Sequence, residues 1–353
     1  MRKLPLLGTM LLPLTGFVAN AQAQAPVEAP EHCSVHVITT LYPSYDFVRN
    51  IGGKAVCATL LLKPGQEAHT YEPSPGDIRK IAKSNLFVYV GGDNDEWVEN
   101  LLKNLGKKAP KSVSLISLVP TVNEEHVEGM EPEEEEHDHD HGEKTVAAHD
   151  EHDHDHDHDH AKADEHDHDH AKGEEEEEEV DEHVWLSPYN AQLIVEGLTK
   201  ELISMDPKDK ALFEANSAAY IKKLQVLDQA FMKVVQNSKN KTLVFGDRFP
   251  FRYFVDRYGL KYYAAFPGCS AQVQASAGTL AFLSNKAKEL KAPVVLELER
   301  SNGRIAKTVA HSCGAKVETF HAIHNLSADE IKRGEDYLSL MTKNVEVLKR
   351  ALQ

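Results

Sequence analysis

The chain has 353 residues, 41% hydrophobic and 27% charged, with a formal net charge of −17, a composition that describes a globular protein of about two domains. The charge is concentrated: residues 124–182 hold 29 acidic residues, 3 basic ones and 13 of the 20 histidines, a net −26 that leaves +9 elsewhere. The acidity belongs to one segment, which excludes a wholly disordered chain; an acidic tract and no basic stripe interleaved with aromatics exclude nucleic acid as a partner.

At the N-terminus, Met1-Arg2-Lys3, the apolar run Leu4–Val18 and the small-residue stretch Ala19–Ala25 form the three-part pattern of a secretory signal cleaved near residues 21–25. The run is too short for a membrane anchor, and no cysteine stands at the cleavage point to take a lipid. A periplasmic protein that is not lipid-anchored is expected. Four cysteines in an oxidising compartment allow three pairings. Cys33 and Cys57 open two apolar runs read as neighbouring strands, which favours Cys33–Cys57 and by default pairs Cys269 with Cys313. The rival reading keeps Cys269 as a free thiolate, in a loop after a strand, able to bind metal.

Short apolar or β-branched runs recur at Val35–Thr40, Ala58–Leu62, Leu86–Val90 and Val113–Ser117, and again at Thr242–Phe245, Tyr262–Phe266, Pro293–Leu298 and Lys316–Phe320. Helix-like stretches lie between them at Asp77–Lys83, Glu96–Leu105, Phe249–Tyr258, Ser276–Leu290 and Gly303–His311. Such alternation implies parallel sheets covered by helices, and two sets of four strands imply two lobes. Between the sets, Asp206-Pro207 opens a helical signal continued by Phe213, Tyr220, Leu224, Leu227 and Phe231 to about Asn237. At 1.5 Å per residue this helix would run roughly 45 Å, longer than one lobe. The predicted fold class is therefore α/β: two lobes, each a parallel four-stranded sheet flanked by helices, joined by one long spine helix. The chain divides into a signal peptide (1–25), an N-terminal lobe (26–123), an insert (124–180), the end of that lobe (181–205), the spine (206–238) and a C-terminal lobe (239–353).

The insert is of low complexity. Its histidines include His137, His139 and His141, the strict His-Asp alternation of His152, His154, His156, His158 and His160, and the near-copy His166, His168 and His170. Like charges and almost nothing apolar leave it no core to bury, so disorder without ligand is expected. Alternating imidazoles and carboxylates suit several weak cation sites, each needing neutral imidazole.

Ligands of open α/β sheets sit beyond the carboxyl ends of strands. His69 falls there after the second strand, Asp247 after the fifth, and His321 and His324 after the eighth, while His183 directly follows the insert. Imidazoles with a carboxylate suit a borderline divalent ion, most simply four-coordinate Zn²⁺. A zinc hydrolase would need an open coordination position and a nearby base, for which only Glu67 offers itself. With no His-Glu-x-x-His helix, nucleophile elbow or P-loop in the sequence, a binding protein and not an enzyme is expected.

Four sequence features carry a family resemblance: Pro64–Pro75 with Tyr71-Glu72-Pro73, the Glu96-Trp97 helix start, the His-rich loop directly before Asp181–Pro188, and Asp206-Pro207 opening the helix that includes Asn216 and Tyr220. On these the chain resembles the zinc-uptake solute-binding proteins of ABC transporters, the ZnuA type within a wider cluster carrying zinc or manganese. The resemblance implies a C-clamp with a single metal between its lobes. His69 and His183 match the first two family ligands. At the third position, a His or Glu ending the first strand of the second lobe, this chain has Gly246 with Asp247 beside it. The fourth matches His321 by its offset from Gly314-Ala315-Lys316-Val317. The implied set is His69, His183 and His321, completed by Asp247, then His324, Glu299 or Cys269 in falling order. Three imidazoles favour zinc over manganese. The implied function is capture of Zn²⁺ and delivery to an inner-membrane ABC permease by a monomer, with the insert as a low-affinity sponge or sensor. A metal-buffering or adhesion-type surface protein, and manganese or nickel uptake, are the alternatives.

Overall fold

The computed structural model describes residues 33–130, 179–270 and 274–353. The expected signal segment and the singled-out histidines from His137 to His170 lie outside the described residues.

In the first lobe, four strands pair in parallel: β1 (Val35–Thr39), β2 (Val56–Leu60), β3 (Leu86–Tyr89) and β4 (Lys111–Ser114), in the order β2-β1-β3-β4. Parallel neighbours require crossovers, supplied by α1 (Tyr42–Gly52), α2 (Pro75–Lys83) and α3 (Glu96–Leu105). The sheet packs one face on α1 and α4 (Pro188–Met205) through Val37, Phe47, Val48, Ile194 and Leu198, and the other on α2 and α3 through Ile81, Phe87 and Val98. A disulfide joins Cys33 to Cys57 with Cα atoms 5.6 Å apart, tying the start of β1 to β2 as the sequence predicts.

The spine, α5 (Lys210–Asn237), spans about 42 Å at 1.5 Å per residue. Its N-terminal half is bonded to the first lobe: Tyr220 Oη donates to Asp46 Oδ2 at 2.9 Å and Asn216 Nδ2 to the Ile51 carbonyl at 3.0 Å. Its C-terminal half is bonded to the second, where Asp228 accepts from Arg257 at 2.7 Å and from Tyr258 at 2.9 Å. One rigid helix gripped at both ends limits the lobes to small relative movements.

The second lobe follows with β5 (Thr242–Val244), β6 (Arg248–Phe249), α6 (Arg252–Tyr258), β7 (Lys261–Tyr263), β8 (Phe266–Pro267), α7 (Ala277–Glu289), β9 (Val294–Glu297), α8 (Arg304–Cys313), β10 (Lys316–Thr319), α9 (Ala328–Lys332) and α10 (Tyr337–Ala351). Its four parallel strands run β7-β5-β9-β10, the two pairs joined by a single bridge between Phe245 and Leu296; β6 and β8 make a separate short pair. Four helices escape the sequence pattern: α1, α4, α9 and α10. In α4, Asn190, Gln192 and Thr199 are buried alongside Ile194, Val195 and Leu198, so no clean apolar stripe marks it. Among the described residues no helix is long and apolar enough to cross a membrane.

The expected Cys269–Cys313 bridge is not formed, and both cysteines are free. Cys313 ends α8, with its Sγ turned back on the carbonyls of Val309 and Ala310. Cys269 lies against Glu124, so the two thiols face different surroundings.

Candidate metal centre

His69 lies within the loop that leaves β2, and that loop ends where Pro75 at the first position and the Ser74–Asp77 capping box start α2. His183 stands at the foot of the insert. There the two sides of the insert pair, Asn123 bridging Val180 and Asp181 N donating to the Val122 carbonyl at 2.9 Å. Tyr253 Oη clasps this foot by donating to the Asp181 carbonyl at 2.7 Å. His324 lies five residues beyond β10, on a loop that crosses back to the first lobe.

These three rings converge. Their centroids are 5.5 Å (His69–His183), 4.9 Å (His69–His324) and 5.1 Å (His183–His324) apart, and one donor nitrogen from each lies within 4.8 Å of the others. The Nε2 atoms of His183 and His324 are buried without a hydrogen-bond partner, a costly condition for polar atoms unless something fills the space between them. The rings line a cavity of about 30 Å³ with Trp185, Trp97 and Tyr71, room for one small ion or water.

Neighbouring groups set the ring chemistry. Asp181 Oδ1 lies 3.2 Å from His183 Nδ1, which orients the ring and leaves Nε2 for a cation. Burial opposes charging of His183, but the charge and hydrogen bond of Asp181, with Glu182 and Glu124, lift its pKa above the ordinary value. His324 is pushed well below it, by burial first and then by His69, His183, Arg248 and Arg300; it is held neutral, the form that binds metal.

His321, Asp247 and Glu299 lie apart from the three rings. Neither His321 nor Asp247 belongs to any group of three convergent donors among the described residues. Asn344 pins the His321 backbone from both sides, accepting from its N–H and donating to its carbonyl at 2.8 Å each. The chain then turns through Ile323 at φ 60°, a conformation costly for a β-branched residue, and it is His324 that enters the cleft. Asp247 accepts from the N–H groups of Arg248 at 2.9 Å and Leu298 at 3.1 Å. A side chain at Gly246 would meet the Ala306 backbone at 2.3 Å, so α8 packs where a ligand side chain would have to stand.

Glu299 is a half-buried carboxylate whose two oxygens accept from Ala322 N and Ile323 N, both at 2.7 Å. It anchors the strained turn, while Asn325 Nδ2 ties the same loop to the Lys63 carbonyl at 2.6 Å and Trp185 Nε1 to the Ala322 carbonyl at 2.8 Å. Glu299→Ala should therefore lower stability by about 3 kcal/mol, from two hydrogen bonds to a charged group at roughly 1.5 kcal/mol each, and Glu299→Gln by about half. Urea unfolding of the three proteins measures the difference.

A two-lobed α/β clamp joined by a rigid helix, with donors from both lobes meeting in a closed cleft, defines a solute-binding protein. The family model for ZnuA, zinc-uptake complex component A periplasmic, matches residues 37–351, and the chain belongs to that family. It is 32% identical to the high-affinity zinc uptake system protein ZnuA of Bacillus subtilis over 324 residues, 90% of this chain and 88% of that protein. It is also 32% identical over 353 residues to the zinc-binding lipoprotein AdcA of Streptococcus pneumoniae, covering 99% of this chain but only 61% of the relative's length. Among solved structures, the Zn(II)-bound ZnuA-like domain of that AdcA superposes with a TM-score of 0.67 at 29% identity, over 90% of this chain and 98% of the domain. The metal-dependent lipoprotein YcdH of Bacillus subtilis gives 0.68 at 28% identity, over 90% and 100%.

Proposed function

We propose that the chain is an exported solute-binding protein, not an enzyme, that captures Zn²⁺ between its lobes through His69, His183 and His324 and surrenders it to an ABC permease. The observation that carries this reading is the convergence of three imidazoles from both lobes around two buried, unpartnered Nε2 atoms. Three neutral nitrogens suit zinc better than manganese, whose sites take more carboxylate oxygen. Because the donors come from opposite lobes, a short opening movement separates His324 from His69 and weakens the shell, which is what release requires. The stretch 131–178, rich in alternating His and Asp, supplies low-affinity sites.

Calorimetric titration of zinc, and separately manganese, into the metal-stripped protein and a version lacking residues 131–178 tests this. One tight zinc site should survive the deletion while weaker sites disappear, and manganese should bind less tightly. Loss of the tight site with the deletion would refute the cleft and favour metal buffering by the insert.

A further inference from the structure

A second group of donors stands beside the three histidines. Glu124, Cys269 and His183 each offer an atom within 4.8 Å of the others. Glu124 is the first residue of the insert, held by its N–H to the Glu179 carbonyl at 2.8 Å, and its Oε1 accepts from Cys269 N at 3.1 Å. Gly268 allows the approach: a Cβ there would lie 3.1 Å from His183 Cε1 and 3.2 Å from Glu124 Oε1. The combination of thiolate, carboxylate and imidazole suits the same borderline cations as the first group. On binding a cation the Cys269 thiol gives up its proton and ligates as thiolate.

His183 belongs to both groups. Its Nδ1 is engaged by Asp181, so Nε2 is the nitrogen left for an ion in either position, and the two positions cannot both use it at once. We propose that Glu124, Cys269 and His183 form a second divalent-cation position, a port through which an ion gathered by the insert passes to the three-histidine centre. The position lies where the insert's chain enters the cleft, and His183 Nε2 is the ligand common to the start and end of the transfer. This rests on the reading of the three-histidine centre as the tight site.

Cobalt reports sulfur ligation directly, through a thiolate-to-metal charge-transfer band. With Cys313→Ser as background, Cys33 and Cys57 held in their disulfide and no cysteine between residues 131 and 178, any such band belongs to Cys269. The full chain with one equivalent of Co²⁺ should show a nitrogen and oxygen spectrum without the band. His69→Ala/His324→Ala, which removes the centre but keeps His183, should show the band, and adding Cys269→Ser should abolish it. In stopped-flow loading, Cys269→Ser in the same background should take up zinc about tenfold more slowly, comparable to losing one supporting group of a metal site. No band in the double variant, with circular dichroism showing it folded, or unchanged loading, overturns the port while leaving the centre standing. A band already present at one equivalent in the background protein would make Cys269 a ligand of the centre itself and also overturn the port. Failure of the background protein to bind one equivalent of cobalt or zinc tightly would instead sink the reading of the centre.

Discussion

His324→Ala is expected to weaken zinc binding by more than about 100-fold, beyond the roughly 10–100-fold loss typical when only an outer partner of a metal ligand is removed. His321→Ala should change it by no more than a few-fold. The two residues sit three apart on one loop, so the comparison separates direct ligation from general damage to the loop. His324 is 5% exposed with an unpartnered Nε2 among the other two imidazoles, whereas the His321 backbone is fixed to Asn344 and its ring stands outside the cleft group. Competition against a chromophoric zinc chelator reads both affinities, and equal losses in the two variants would refute the assignment. Gly246→His cannot add a ligand to the cleft, because its Cβ would strike the Ala306 backbone.

Asp46→Asn is expected to make the protein markedly less sensitive to raised pH. Asp46 is buried where α1 meets the spine, and burial first, then the charge of Asp336, raise its pKa to about 7, against the lowering effect of the Tyr220 hydrogen bond. The folded-state value lies above the unfolded one of about 3.9, so folding favours the protonated acid. The resulting contribution is complete below about pH 4 and is lost as pH rises through 7. A shift of about three units corresponds to at most about 4 kcal/mol at 1.36 kcal/mol per unit. Asparagine cannot ionise and still offers an oxygen to Tyr220 Oη, 2.9 Å from the carboxylate in the native protein. Urea unfolding at pH 5 and pH 8 should show the wild-type decline between them shrink in the variant. Identical declines would mean that Asp46 does not carry the pH dependence.

Most of the chain's organisation was legible without coordinates. Strand segments such as Leu86–Val90 and Thr242–Phe245 were marked by continuous apolar runs, the mark of strands buried on both faces, and the observed β3 and β5 fall within them. The spine was legible because three- and four-residue apolar spacing runs on past an Asp-Pro start. Helices α1 and α10 were not, since each is buried on several sides by the spine and its neighbours. Cys33–Cys57 could be inferred because it joins adjacent strands, a local matter; the Cys269–Cys313 pairing rested on elimination, which carries no geometry.

The amino-acid sequence by itself determined the two lobes, the spine, the strand-end location of the histidines and the resemblance to a metal-uptake family, because each is a property of local pattern and chain order. Tertiary structure decided which side chains meet. The backbone beyond β10 follows no regular period: Asn344 and Glu299, distant in sequence, hold its N–H groups, and the turn at Ile323 reverses which residue looks inward. Offset counting along a strand ends with the strand, so it selected His321, while packing against the first lobe brought His324 into the cleft.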